Sequence, residues 1–179
     1  RDGSLVDSCA AACGGVTTCF DYVIQRKGQG IVEAVDARRQ LADPEACVDY
    51  AFHCAITDLN DGALLDEFPA SVEYGVPSFK CFLVYKKEGM MVDDGTLARI
   101  LVKAKEHGIM TNVHAENPCL IDMYIEQFRK EGKLSPWYHY MSRPEFVESE
   151  ADVRAIHIAR NLDAPLYIVH LANKHGVEA

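Results

Sequence analysis

The fold class is decided by the stretch Val76-Pro77-Ser78-Phe79-Lys80-Cys81-Phe82-Leu83-Val84-Tyr85, a short apolar run interrupted by one lysine. Similar runs lie at residues 16–23, 47–56, 109–116 and 166–171. They are rich in β-branched and aromatic residues and too compact for helices, so each is predicted to be a strand. Because most are apolar almost throughout, they favour parallel strands that are covered on both faces.

Amphipathic segments separate these predicted strands. The clearest spans residues 94–107, where apolar residues recur at helical spacing from Leu97 to Ala104 and Gly108 predicts the end of the helix. Further helices are predicted at residues 33–41, 69–74, 120–130 and 146–162. The first four strand runs begin at residues 16, 47, 78 and 109, which are 31 residues apart. This rhythm is typical of βα units, in either a (β/α)8 barrel or an open doubly wound sheet.

Five strand signals are too few for a closed eight-stranded barrel, which typically takes ~250 residues. An open sheet could be complete at this length, but no strand signal precedes Gly3 and no helix is predicted after Leu171. We therefore interpret residues 1–179 as an incomplete central segment of a parallel α/β (β/α)8 barrel domain, with about five βα units. Residues 133–144, with two prolines, are predicted to form a structured loop.

Composition narrows the possible partners and compartments. The 27 acidic residues outnumber 18 basic ones, giving a net charge of −9, and this argues against nucleic acid or an anionic membrane as the main partner. No apolar stretch approaches the ~18 residues of a membrane span, and Arg1-Asp2-Gly3-Ser4 has no signal-peptide character. The seven cysteines lack a Cys-x-x-Cys motif and mostly lie in apolar runs, so we expect buried, reduced thiols and a cytoplasmic protein.

Lys80 is the residue that a purely structural interpretation explains least well. A buried ammonium without a partner costs several kcal/mol or loses its proton. One interpretation is a strand-end lysine that reaches solvent or pairs with a carboxylate. The other is a neutral amine that takes up CO2 and becomes a carbamate, whose two oxygens can bridge two divalent cations.

Two histidines each close a predicted strand, His114 after Ile109-Met110-Thr111-Asn112-Val113 and His170 after Leu166-Tyr167-Ile168-Val169. A single such histidine is more often a hydrogen-bonded core residue than a ligand. However, the carboxyl ends of parallel strands open onto one face, so Lys80, His114 and His170 are predicted to converge there. Imidazoles near a bridging oxygen suit zinc or another first-row metal ion.

Residues that follow the strand ends have less certain roles. Glu116 and Asn117 either orient His114 or cap the next helix. Tyr85 can reach the site only if its strand has ended, in which case it could donate a hydrogen bond to a substrate carbonyl. His53, inside an apolar run, favours a structural role, and so does Asp21.

Several motifs together resemble the dihydropyrimidinase/hydantoinase branch of the amidohydrolase superfamily, in order and spacing. They cover essentially the whole chain, and they are Gly14-Gly15-Val16-Thr17-Thr18, Asp49-Tyr50-Ala51-Phe52-His53, Ser78-Phe79-Lys80 with Tyr85-Lys86, Val113-His114-Ala115-Glu116-Asn117, Ser142-Arg143-Pro144, and Pro165-Leu166-Tyr167-Ile168-Val169-His170-Leu171.

The resemblance implies a metal-dependent cyclic amidase. Lys80 would be carboxylated and bridge two zinc ions, His114 and His170 would bind one of those ions, and Tyr85 would contact the substrate carbonyl. A metal-bridging hydroxide would open a cyclic diamide, either a dihydropyrimidine or a 5-substituted hydantoin, to an N-carbamoyl amino acid. A homotetramer that acts in pyrimidine catabolism is also implied.

The resemblance leaves part of the family's site unmatched and some alternatives open. The His-x-His motif of the first barrel strand and the late-strand aspartate have no counterpart here, so residues 1–179 alone are expected to be inactive. A non-catalytic dihydropyrimidinase-like scaffold is disfavoured because such scaffolds typically replace the residues matching Lys80 and His170. An allantoinase or dihydroorotase is the other alternative, but Tyr85 and Ser142-Arg143-Pro144 favour the hydantoinase branch.

Overall fold

The computed structural model describes residues 4–179. The inferences about Arg1, Asp2 and Gly3 lie outside the described residues. The five predicted strands are all present, as β1 (Thr18–Ile24), β2 (Asp49–Ala55), β3 (Ser78–Phe82), β4 (Met110–His114) and β5 (Leu166–Ile168). They form one parallel sheet in the order β1-β2-β3-β4-β5, so the predicted parallel α/β fold class is confirmed.

The helices alternate with these strands. They are α1 (Ser4–Cys13), α2 (Ile31–Ala42), a 3₁₀ segment (Asn60–Glu67), α3 (Phe68–Glu73), α4 (Asp94–Glu106), α5 (Pro118–Lys130), α6 (Trp137–Met141), α7 (Glu145–Asn161) and α8 (Lys174–Glu178). The five predicted helices are confirmed, with ends within about two residues. The prediction that no helix follows Leu171 was wrong, because α8 begins at Lys174, and the loop predicted at 133–144 contains the short α6.

The described chain divides into two compact units. The first ends at Lys80 and also includes Lys103–Met110, and the second comprises Cys81–Val102 and Thr111–Ala179. In the first unit, β1 and β2 pair along their whole lengths, from Thr18 with Asp49 to Ile24 with Ala55. Next to them, Ala55 of β2 pairs with Lys80 of β3. The rings of Phe68 and Phe79 are fully buried, with centroids 4.5 Å apart.

In the second unit, β4 pairs with β5 from Thr111 with Leu166 to Val113 with Ile168. The residue after β3, Leu83, donates its backbone N–H to the carbonyl of His114 at 3.0 Å. A small core of Val84, Ile121 and Val147 packs beside this strand end. These contacts fix the carboxyl end of β4, where His114 lies.

Two sequence-based expectations need separate comment. All seven cysteines are free, but the expectation of buried thiols was wrong for Cys9, Cys13, Cys47 and Cys119, which are exposed. They lie in helices or connections, where a neighbouring apolar residue in sequence does not imply burial. Within residues 4–179, no helix has the length and apolar character needed to cross a membrane.

Candidate functional site

Lys80 lies in the most deeply buried strand of the first unit. Its exposed fraction is 3%, and its neighbours Phe79 and Cys81 are fully buried. Its carbonyl accepts the N–H of Ile56 at 2.8 Å, which fixes the backbone. The ammonium nitrogen lies 5.8 Å from the centre of the Tyr22 ring. The Lys80 side chain is therefore buried in the fold.

His53 occupies the neighbourhood of Lys80 in the first unit. Its Nδ1 is hydrogen-bonded to Ser78 Oγ, and its ring lies 4.9 Å from Phe20 and 5.0 Å from Tyr22. Burial, and then the charge of Lys80, hold the pKa of His53 below its ordinary value, so it is neutral at pH 7. These contacts account for His53 as a packing residue, as the sequence favoured.

In the second unit, the two strand-end histidines lie together. The rings of His114 and His170 have centroids 4.5 Å apart and are nearly perpendicular, at 76°. His170 has a left-handed backbone, with φ of 40°, two residues after β5 ends. The predicted proximity of these two side chains is therefore observed. Their role as metal ligands, and the inclusion of Lys80 in the same cluster, stay predictions.

A carboxylate orients His114. Glu116 Oε2 lies 2.8 Å from His114 Nε2, and its other oxygen is 3.3 Å from Arg143 Nε. Burial acts to raise the pKa of Glu116, but the hydrogen bond to His114 and the charges of His114 and Arg143 outweigh it and lower the pKa. In the neutral tautomer of His114 that donates an Nε2–H hydrogen bond to the Glu116 carboxylate, Nδ1 carries the lone pair that a metal ion binds.

The two roles considered for Glu116 and Asn117 are thus divided between them. Asn117 caps α5, because its side-chain oxygen accepts the N–H groups of Cys119 and Leu120 at 3.0 and 3.2 Å. Among the described hydrogen bonds, Asn117 makes none to the His114 side chain, which is bonded to Glu116. The Arg143 contact with Glu116 gives the Ser142-Arg143-Pro144 motif a physical role, since the guanidinium helps to keep that carboxylate charged.

Tyr85 reaches the same cluster because its strand ends early. β3 stops at Phe82, and Tyr85 has a left-handed backbone with φ of 66°. Its ring centroid lies 5.3 Å from that of His114. Burial, followed by the charge of Glu116, raises the pKa of Tyr85, so the phenol keeps its proton near neutral pH. It can therefore donate a hydrogen bond.

A cavity of about 630 Å³ opens beside this cluster in the second unit. Its lining includes Glu116, Arg143, Glu148, Asn173 and Lys174. This volume lies in the range typical of small-molecule sites, and the alternation of acidic and basic groups suits a polar ligand with both donors and acceptors. Within residues 4–179, no group of three or more His, Cys, Asp and Glu side chains has the geometry of a metal site.

Comparisons with known proteins show which proteins this chain is similar to. A D-hydantoinase from Ralstonia pickettii is 40% identical over 170 residues, which is 94% of this chain and 36% of that protein. The dihydropyrimidinase of Rattus norvegicus is 39% identical over 169 residues, 94% of this chain and 32% of that protein. The crystal structure of a dihydropyrimidinase from Brevibacillus agri superposes with a TM-score of 0.94 and 37% identity, covering 99% of this chain and 38% of that one.

The chain is a relative of the D-hydantoinases and dihydropyrimidinases. It spans about a third of the length of the curated hydantoinases and dihydropyrimidinases that it matches. The resemblance given by its motifs is confirmed, and so is the interpretation that it corresponds to part of a hydantoinase barrel. A comparison with models of known protein families gives no match.

One buried group of this hydantoinase relative was missed from the sequence. Asp152 of α7 is fully buried, and its Oδ2 accepts a hydrogen bond from Asn173 Nδ2 at 3.0 Å. The Asn173 oxygen in turn accepts the N–H of Gly176 at 2.6 Å. Asp152 lies three and seven residues before Ala155 and Ala159, which are buried on the same helix face, so helical spacing was the available signal.

Proposed function

We propose that the whole protein hydrolyses a cyclic amide, a dihydropyrimidine or a 5-substituted hydantoin, to an N-carbamoyl amino acid. The similarity to D-hydantoinases and dihydropyrimidinases over nearly the whole chain is the observation on which this proposal rests. The allantoinase and dihydroorotase alternatives have no comparable support, because the similar proteins described above bear the names D-hydantoinase or dihydropyrimidinase.

The proposed site holds two divalent metal ions, most simply zinc. Lys80, as a carbamate formed with CO2, would bridge the ions, and His114 and His170 would bind one of them. The residues fit this role. Lys80 is buried, the rings of His114 and His170 are in contact, and Glu116 is bonded to Nε2 of His114 and not to Nδ1. When bound, the ions would supply Lewis acidity and an activated water.

The chain's own residues have distinct proposed tasks. Glu116 accepts a hydrogen bond from the Nε2–H of His114 and so fixes the tautomer and the plane of the ring. Tyr85 keeps its phenolic proton and donates a hydrogen bond to the substrate carbonyl, which stabilises the negative charge that develops on that oxygen during attack. The adjoining cavity would receive the substituent of the ring.

Other properties of the whole protein follow from the resemblance and are proposals. They are a single barrel domain that includes residues 1–179, a homotetrameric assembly, a cytoplasmic location and a part in pyrimidine catabolism. Seven free cysteines agree with a reducing compartment.

The test uses the complete protein. Metal content is measured, and ring opening of dihydrouracil and a 5-substituted hydantoin is followed, for the wild type and for Lys80→Ala, His114→Ala and His170→Ala. We expect about two metal ions per chain in the wild type, and a loss of activity of at least a thousandfold in each variant. Lys87→Ala and His157→Ala are matched controls, because both side chains are exposed and have no place in the proposed site.

Two results would contradict the proposal. One is turnover that survives in any of the three site variants while the controls behave as the wild type. The other is a wild-type protein that binds metal but opens neither ring, which would favour a non-catalytic relative.

A further inference from the structure

Two exposed thiols in the first unit lie side by side, away from Lys80 in sequence. Cys9 belongs to α1, and Cys47 lies two residues before β2. Their sulfur atoms are 3.5 Å apart, and both side chains are exposed. A disulfide requires a sulfur separation of about 2.05 Å, so an approach of roughly 1.5 Å completes the bond.

Hydrogen bonds that do not involve sulfur hold these two segments together. Ser8 Oγ accepts the backbone N–H of Cys47 at 3.2 Å. The backbone N–H of Leu5 lies 3.4 Å from the carboxylate of Glu45. The proximity of Cys9 and Cys47 therefore follows from how α1 docks on the segment before β2, and it does not depend on the thiols attracting each other.

The two thiols differ in chemical character. Hydrogen bonds from Ser8 and then Cys9 lower the pKa of Cys47. The hydrogen bond to Cys47, with burial and nearby sulfur charges, raises the pKa of Cys9. Cys47 is thus the better thiolate of the two. Such an asymmetric pair has the attacking and resolving thiols that disulfide exchange needs.

We propose that Cys9 and Cys47 form a reversible disulfide by exchange with low-molecular-weight disulfides of the glutathione class. The Cys47 thiolate attacks one sulfur of the small disulfide, which releases one small thiolate and leaves a mixed disulfide on Cys47. Cys9 then loses its proton and attacks the Cys47 sulfur, and the second small thiolate leaves. Two protein thiols are oxidised and one small disulfide is reduced to two thiols.

The consequence is local to the first unit. The bond would join α1, which precedes β1, to the start of β2 across 38 residues of sequence. Cys13 is the natural competitor for Cys47, because it is exposed and lies one helical turn after Cys9 on α1. The structure favours Cys9, because the Cys47 sulfur lies 3.5 Å from the Cys9 sulfur.

The test treats the full-length protein with glutathione disulfide at pH 8 and counts free thiols with and without a reductant. We expect the loss of two thiols, recovery with dithiothreitol, and a peptide cross-link that joins residues 2–26 to residues 40–80 after trypsin digestion. Trypsin leaves Cys9, Cys13 and Cys19 in one peptide and Cys47 and Cys54 in the other, so single variants assign the partners.

The variants give opposite outcomes for the two thiols. Cys47→Ser should abolish the cross-link, and Cys9→Ser should stop at a stable mixed disulfide on Cys47. Cys13→Ser and Cys119→Ser should both form the cross-link as the wild type does. A cross-link that persists in Cys9→Ser, one that disappears in Cys13→Ser, or a wild type that keeps all its thiols or stops at the mixed disulfide would overturn the proposal.

Discussion

Replacing Asp152 with asparagine should change the stability of the fold in a way that depends on pH. Burial raises the pKa of Asp152 to about 6, from an ordinary value of 3.8, against the opposing effect of the Asn173 hydrogen bond. A folded-state pKa above the unfolded one means that the neutral acid stabilises the fold. This contribution is fully present below about pH 4 and is lost as the pH rises through about 6.

The magnitude follows from the size of this shift. A rise of about two pKa units corresponds to roughly 3 kcal/mol of unfolding free energy that the wild type loses between pH 4 and pH 7. Asparagine can still accept the hydrogen bond from Asn173, but it places an amide donor where Asp152 Oδ1 has no partner among the described residues. That buried donor costs about 1–2 kcal/mol at every pH.

The stability curves of the wild type and of Asp152→Asn should therefore cross as the pH rises. Asp152→Asn should be less stable than the wild type near pH 4.5 and more stable, by about 1–2 kcal/mol, at pH 8. Urea titrations of both proteins across this range measure the difference, and other titrating groups cancel in the comparison. A difference that stays constant within about 0.5 kcal/mol from pH 4.5 to 8 would refute the inference that burial raises the pKa of Asp152.

Three further predictions concern stability. Gly176→Ala should lower the unfolding free energy by about 2 kcal/mol, because the added Cβ would lie 2.5 Å from an oxygen of the buried Asp152. Gly95→Ala in α4 should raise it by up to about 1 kcal/mol, because the added Cβ meets no atom closer than 3.6 Å; thermal melts of the two variants measure the contrast. Gln25→Leu should cost about 3 kcal/mol in urea unfolding, because this buried side chain makes four hydrogen bonds to the backbone. Closing the Cys9–Cys47 disulfide should raise the unfolding free energy by about 4 kcal/mol, and no gain on oxidation would contradict the native geometry of the pair.

The sequence predicted the sheet well because burial of both faces leaves a simple pattern. The run at β3 is apolar apart from Ser78 and Lys80, and each of the first four residues of the strand is buried in the fold. The helix α4 was equally clear, since Asp94 and Gly108 bracket an apolar stripe that is buried from Leu97 to Ala104. The short helix α6 was missed because aromatic residues and flanking prolines do not produce a helical stripe in five residues.

The sequence predicted those parts of the site that follow directly from where the parallel strands end. The adjacency of His114 and His170 follows from the parallel pairing of β4 with β5, which the apolar runs had indicated. For Tyr85, strand alternation gave only a conditional prediction, that it reaches the cluster if its strand has ended; β3 does end at Phe82, and the left-handed φ of 66° at Tyr85 has no signal in the local sequence. Asp152 was missed for a different reason, since its partner Asn173 is 21 residues away in sequence.

Two carboxyl groups of the second unit, Glu116 and Asp152, have pKa values shifted in opposite directions. His114 is fixed by a charged carboxylate, Glu116, whose pKa is lowered. The segment after His170 is fixed by Asn173, whose bond to Asp152 is strongest when Asp152 is ionised. Burial nevertheless favours the neutral form of Asp152. Ionisation of Asp152 near neutral pH therefore costs the fold stability, although it strengthens the hydrogen bond from Asn173.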